Sequence, residues 1–326
     1  MSLRNTLIRE LRKRKSIGVD QYEIEELMGF SKSTASEALS KLEAEGIIVR
    51  LKIAGKSKRV WLREYYPYYD PSIIRIGCLK STEYARFLSI AMDYGERTGT
   101  RIMIRFYNDA GSLLQDISSG TLEFALAPIF TETLFALSQH NIVVVGPVAS
   151  GGSGIFENPT SGSDAIATSE STSMMLLSRE FQKKHKNAKL VVFNDPVKAR
   201  KDFEAGNFKY IAIWEPYASA IDGNKVYDYS DLMDSFPCCG ISVPADRYKN
   251  GRLTDVVSIY RNGEASIRSD IIDLLAKATK VGKSVVKRSL ESYNFHLKYD
   301  MHSVMEYMDF IGYPTAEEAI KKVFLL

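Results

Sequence analysis

From residue 73 to residue 214, short apolar runs alternate with stretches of helical period, and this alternation restricts the possible folds more than any other feature. Runs of strand length fall at 73–79, 101–107, 123–127, 142–148, 165–167, 190–193 and 210–214. Amphipathic stretches of helix length lie between them, at 82–98, 111–119, 131–140, 171–184 and 196–205. Alternation of this kind predicts an α/β architecture. The Gly-rich GGSG at 151–154 reads as a crossing segment between two such series, and a Cys-containing strand near 238–243 reads as a return to the first. A chain of 326 residues, 45% hydrophobic and 25% charged, is ordinary for a globular protein and long enough for two or three compact units.

The first 62 residues have a different pattern. Leu3, Leu7, Ile8 and Leu11 recur at helical spacing, and the run ends in the cations Arg12, Lys13, Arg14 and Lys15, which suit a helix C-terminus. Asp20 can cap a second helix carrying Tyr22, Ile24, Leu27 and Met28, which Gly29 ends; Phe30 fits the turn. Ser31 caps a third, with Ala35, Ala38, Leu39 and Leu42 as its buried stripe and Gly46 as its stop. Two helices around a short turn containing glycine predict a helix-turn-helix. Residues 47–53 and 60–62 then read as two strands joined by the basic AGKSKR, which makes a wing. Charge follows the same division. Residues 1–62 hold 13 lysines and arginines against 8 acids, leaving 30 against 32 for the remainder, so the basic character is local and points to a polyanion.

The stretch SKSTASEALSKLEAEGIIVRLKIAGKSKRVWL resembles the winged-helix domains of bacterial and archaeal regulators, and the likeness covers residues 1–62. It implies a third helix in the major groove of double-stranded DNA with Lys32, Ser33, Thr34, Ser36 and Ser40 outward. Lys56, Lys58 and Arg59 would meet phosphates or the minor groove. Regulators with such a head pair as homodimers on half-sites about one helical turn apart. The alternative is that these polar residues form a solvated face on a protein-interaction module. Residues 63–72, REYYPYYDPS, read as a semi-rigid connector.

In the remainder, DPVKARKDFEAGNFKYIAIWEPYAS, SGTLEFALAP and IATSESTSMMLLSREF resemble segments of the substrate-binding proteins of nitrate, sulfonate and thiamine-precursor uptake, which have the type-2 periplasmic-binding-protein fold. The resemblance implies two lobes, about 73–150 with 236–326 and about 151–235, with a small-molecule ligand between them. SESTS at 169–173, between a strand and a helix, offers the hydroxyls and backbone N–H groups of Ser171, Thr172 and Ser173, although an ordinary N-cap explains the same residues. Ser81 and Thr82 follow the first strand and Asn108 the second, and both positions can face the cleft. Trp214 and Glu215 match the family segment and would supply an apolar wall and an acceptor, or else simply a core tryptophan beside a surface acid.

These readings combine into a ligand-responsive transcriptional regulator: an α/β chain with an N-terminal winged helix-turn-helix and a two-lobed periplasmic-binding-protein-like domain. Some relatives of the second fold, the thiamine-pyrimidine synthases, are enzymes that use a histidine and a cysteine-rich strand with iron, which keeps an enzyme with an appended winged helix as the alternative. Neighbouring strand residues point to opposite faces, so Cys238 and Cys239 are expected to pack rather than share a metal. With Cys78 they make neither a disulfide framework nor a zinc pattern, and no metal or cofactor is expected. No apolar run approaches the roughly 20 residues that cross a bilayer, and the charged start, MSLRNTLIRELRKRK, lacks a secretory core, so the expected compartment is the cytoplasm without a membrane partner.

Overall fold

The computed structural model describes residues 3–28, 31–54, 57–68, 70–170, 172–231, 237–248, 251–263 and 266–325. Two compact units divide the chain, residues 1–71 with 119–121 and residues 72–118 with 122–326.

The N-terminal unit runs α1 (Leu3–Arg14), β1 (Val19–Asp20), α2 (Gln21–Met28), α3 (Lys32–Ala44), β2 (Ile48–Ala54) and β3 (Ser57–Leu62). Its strands form an antiparallel sheet in the order β1-β3-β2. Ser31 caps α3 by accepting the Thr34 N–H at 3.2 Å. Of the buried stripe Ala35, Leu39, Leu42, the two leucines meet Leu7, Leu11, Ile24, Ile48, Val60 and Leu62 in one apolar core. Trp61 is buried and donates from Nε1 to Ser16 O at 2.9 Å. Gly18, at φ +67°, lies so close to that indole that a Cβ would sit 2.5 Å from its nitrogen, so only glycine fits. Within the segment 63–72, expected as a connector, residues 63–68 pack onto this unit instead. Tyr66 and Tyr68 stand edge-on to Trp61, with ring centroids 5.5 and 6.2 Å away. The apolar rings of the tyrosines, which carry no periodicity, explain why the sequence pattern missed this docking.

The larger unit has two lobes. In the first, β4 (Ile73–Leu79), α4 (Ala85–Thr98), β5 (Arg101–Tyr107), α5 (Ala110–Ser118), β6 (Phe124–Pro128), α6 (Ile129–Gln139) and β7 (Ile142–Pro147) follow in turn. The short β8 (Ala149–Gly151) leads to the second lobe: β9 (Ser153–Glu157), β10 (Ala165–Thr168), α7 (Ser173–Lys184), β11 (Lys189–Val192), α8 (Pro196–Glu204), β12 (Tyr210–Trp214) and β13 (Asn224–Asp228). The chain then returns through β14 (Cys239–Pro244), α9 (Gly251–Asn262), α10 (Ser269–Thr279), α11 (Lys283–Ser289), β15 (Tyr293–Phe295), α12 (Met301–Phe310) and α13 (Glu317–Val323).

The two five-stranded sheets have the orders β5-β4-β6-β14-β7 and β11-β10-β12-β9-β13. Strand β4 is parallel to both neighbours and buried along its whole length, which is why it reads as an unbroken apolar run. Phe87 on α4 packs edge-on against Phe124 and Tyr260, covering one face of the first sheet. The GGSG segment differs from its reading as a plain crossing. Gly151 ends β8, which pairs with β15, and Ser153 begins β9. A Cβ on Gly152, at φ +67°, would lie 2.1 Å from the Tyr293 ring, so the glycine permits close backbone approach to that tyrosine.

Candidate functional site

Strands β4 and β6 of one lobe and β10 and β12 of the other end toward a common cleft, the position where α/β sheets bind ligands. At its base lies a cavity of about 40 Å³ lined by Ser81, Glu83, Tyr84, Ser153, Thr172, Ser173, Met174, Trp214, Cys238, Cys239 and Tyr293, among others. That space holds little more than one or two waters, so this conformation is closed and a metabolite needs the lobes to part.

The closing contacts are made by residues the sequence suggested as ligand contacts. Trp214 donates from Nε1 to Lys80 O at 3.0 Å, and the Ser81 hydroxyl donates to Glu215 O at 3.2 Å. The Thr82 N–H reaches the same carbonyl at 3.4 Å, while the Thr82 hydroxyl bonds Ser289 Oγ at 2.9 Å beneath the surface. These residues latch the two lobes together.

Glu215 departs from its expected role as an open acceptor. Its buried carboxylate is occupied by Ser219, through N–H at 2.9 Å and Oγ at 2.8 Å, and by the Ser292 hydroxyl at 3.2 Å. Burial raises its pKa against the effect of these donors. Glu215 borders a separate, polar hollow of about 540 Å³ shared with Ser150, Lys225, Asp228 and Asn294.

Thr172 is the N-cap of α7, accepting the Met174 N–H at 3.2 Å, and Ser173 donates to Cys238 O at 3.4 Å; both also line the cavity. Asn108 is exposed, accepts from Lys80 Nζ at 2.7 Å, and borders an adjoining hollow of about 50 Å³ with Thr172 and Trp214. Ser171 lies outside the described residues.

Sequence reasoning missed the acid at the base of the cavity and expected the two thiols beside it only to pack. Glu83 is buried, without a cationic partner among the described residues, and burial raises its pKa. The Cys238 thiol donates to Glu83 Oε2 at 3.3 Å, and Tyr84 OH lies 3.4 Å from Cys239 Sγ. The expectation that the two cysteines face opposite ways fails because Cys238 lies in a bend before β14 and only Cys239 is in the strand. The available clue was the acid directly after Ser81 and Thr82, at the mouth of the first strand.

On the N-terminal unit, Lys32, Ser33, Thr34 and Ser40 are exposed along α3 and Ser36 is half-buried. Ser33 and Thr34 share hydrogen bonds of 2.8 Å with Ser31 Oγ, and Ser40 donates to Ser36 O at 2.8 Å. Arg59 departs from the expected free phosphate contact: its guanidinium donates to Asp20 at 2.9 Å, and this partner raises its pKa. Lys58 is exposed, and the strand register sets it opposite Lys52, an exposed cation the sequence reading passed over. Lys56 lies outside the described residues.

No family model and no curated protein matches the sequence. Solved structures do match. The ligand binding component of an ABC-type import system from Staphylococcus aureus, with zinc bound, is 14% identical with a TM-score of 0.63, over 77% of this chain and 99% of its own. The periplasmic aliphatic sulphonate binding protein from Escherichia coli is 17% identical with a TM-score of 0.58, over 79% and 93%. The periplasmic nitrate-binding protein from Synechocystis is 13% identical with a TM-score of 0.58, over 78% and 86%. At these identities the likeness concerns the fold: the larger unit has the mixed α/β, two-lobed architecture of periplasmic binding proteins.

Proposed function

We propose that this protein is a ligand-responsive DNA-binding transcriptional regulator, acting in the cytoplasm as a homodimer, with a small molecule held between the lobes of its larger unit. The observation that carries this reading is the presence of two complementary chemistries in one chain. One unit presents cations and hydroxyls on an exposed helix and hairpin, and the other has the fold of the sulphonate- and nitrate-binding proteins.

The order α1, β1, α2, α3 and the hairpin β2–β3 supports a winged helix-turn-helix, with α3 as the recognition helix. The Lys52–Lys58 pair supports a polyanionic partner. Like charges directly opposite each other weaken a hairpin, and a phosphate backbone compensates them. Binding rather than catalysis is supported by an aromatic cleft closed by hydrogen bonds between the lobes.

The test is selection from random duplex DNA with the full chain, followed by affinity measured across salt concentration. Lys52→Ala with Lys58→Ala should reduce the slope of log affinity against log salt by about 1.8, at about 0.9 per phosphate contact. A metabolite that binds the cleft should shift operator affinity roughly 5- to 150-fold. Absence of any sequence preference in the selection would overturn the regulator reading.

A further inference from the structure

Three side chains at the base of the cleft have an arrangement that packing alone does not require. The donor atoms of Glu83, Cys238 and Cys239 lie within 4.8 Å of one another, and all three residues are buried. Cys238 Sγ and Glu83 Oε2 are 3.3 Å apart. With Zn–S near 2.3 Å and Zn–O near 2.0–2.2 Å, the edges of a tetrahedral ZnS2O site measure about 3.5–3.8 Å, so a slight opening of the Cys238–Glu83 pair and a closing of the wider separations bring the three donors onto one ion.

The platform is firmly held. Cys238 N donates to Ala149 O at 3.0 Å, Ile129 N donates to Cys238 O at 2.9 Å, and Val148 N donates to Cys239 O at 2.9 Å. Tyr84 OH, 3.4 Å from Cys239 Sγ, is placed to orient that sulfur from outside the donor set. The three donors line the same cavity as Ser153, whose hydroxyl, in a residue only 2% exposed, has no hydrogen-bond partner among the described residues. A buried carboxyl group without a cationic partner among the described residues, two adjacent thiols and an unsatisfied hydroxyl thus line one small space.

We propose that Glu83, Cys238 and Cys239 bind one zinc ion at the base of the cleft, leaving a fourth position that faces the cavity for water or a donor atom of the ligand. Two sulfur donors select a thiophilic ion over magnesium or calcium, and the carboxylate favours zinc over copper(I). On binding, each thiol releases its proton and becomes a thiolate ligand. The ligand class follows: a molecule held partly through its own nitrogen, oxygen or sulfur lone pair on the metal. This deepens the reading of the cleft as the binding site and rests on it.

The experiment loads the reduced, metal-stripped full chain with zinc or cobalt(II) alone, without DNA or metabolite. Elemental analysis should give one zinc per chain, and cobalt should show a thiolate charge-transfer band with intense tetrahedral d–d bands. Cys238→Ser with Cys239→Ser should abolish the band, Glu83→Gln should weaken binding, and Tyr84→Phe should cost on the order of 10- to 100-fold in affinity. If the cysteine variant does not fold, X-ray absorption on the zinc-loaded natural protein decides, with two sulfur neighbours expected. No bound equivalent, or an ion without sulfur neighbours, overturns the proposal. A chain that binds DNA and a metabolite but no zinc loses this inference alone; one that binds zinc but selects no DNA loses the regulator reading alone.

Discussion

The two units treat polar side chains in opposite ways. Among the described residues 3–71, every side chain buried as a whole is apolar, and the charges lie outside, as on Lys32, Lys52 and Lys58. The larger unit buries Arg75, Glu83, Glu123, Glu132 and Glu215. A small unit has too little interior to surround an ion with partners, whereas two sheets with their helices can supply them. The difference suits the proposed roles: one surface meets a polyanion in water, and the other encloses a ligand away from it.

The sharpest way to break this contrast is to remove one cation from each unit. Arg75 donates to Glu123 from Nε at 2.9 Å and Nη2 at 2.7 Å, with Arg247 adding a third contact at 3.1 Å. Arg75→Met leaves a buried carboxylate short of partners and should cost about 3–5 kcal/mol in urea unfolding. Arg59→Met, which breaks the part-exposed pair with Asp20, should cost about 1 kcal/mol or less. Similar losses at the two sites would contradict the contrast.

A second comparison uses pH. Glu132 is fully buried, neither carboxyl oxygen has a hydrogen-bond partner among the described residues, and burial raises its pKa well above the ordinary carboxylate value. The folded state therefore keeps a proton that the unfolded state releases, so this residue's contribution to stability is fully present below the ordinary carboxylate range. It declines as pH rises toward the folded pKa. Glu132→Gln should gain steadily on the natural protein between pH 5 and pH 8, by up to about 1.4 kcal/mol per pH unit while the folded state keeps the proton. A constant difference across that range would show that Glu132 does not titrate in this way.

The latch gives a smaller effect. Trp214→Phe keeps an aromatic wall but removes the donor to Lys80 O, and should cost about 0.5–1.5 kcal/mol of closure. Small-angle scattering should show a larger radius of gyration, and an unchanged radius would remove Trp214 from the latch. The smallest stability change is expected at the hairpin, where Lys58→Glu turns a repulsive cross-strand pair with Lys52 into an attractive one. It should add about 0.2–1 kcal/mol while weakening DNA binding. If DNA affinity is retained, the hairpin is not a contact surface.

Local pattern carried much of the fold. Strands 73–79, 101–107 and 210–214 fall where their apolar runs predicted: the first and last are largely buried and the middle one is half-buried, and in each the apolar run is a local feature, legible without reference to the rest of the chain. Strands β8, β13 and β15 were not legible: they are three to five residues long, exposed in part or rich in small residues, and owe their conformation to partners far away in sequence. The candidate site divides in the same way. Ser81, Thr172, Ser173 and Trp214 were accessible because strand ends and helix caps are local features.

What the sequence determined alone was the two-part organisation, the α/β alternation and the local basic charge, since periodicity and composition act over a few residues. Tertiary structure decided the rest. It turned Trp214 and the backbone of Glu215 into a latch, assigned Arg59 to Asp20, and brought Glu83 to Cys238 across 155 residues of sequence. The last meeting follows from the chain's return to the first sheet through β14 after it has built the whole second lobe, and no period within either segment encodes it.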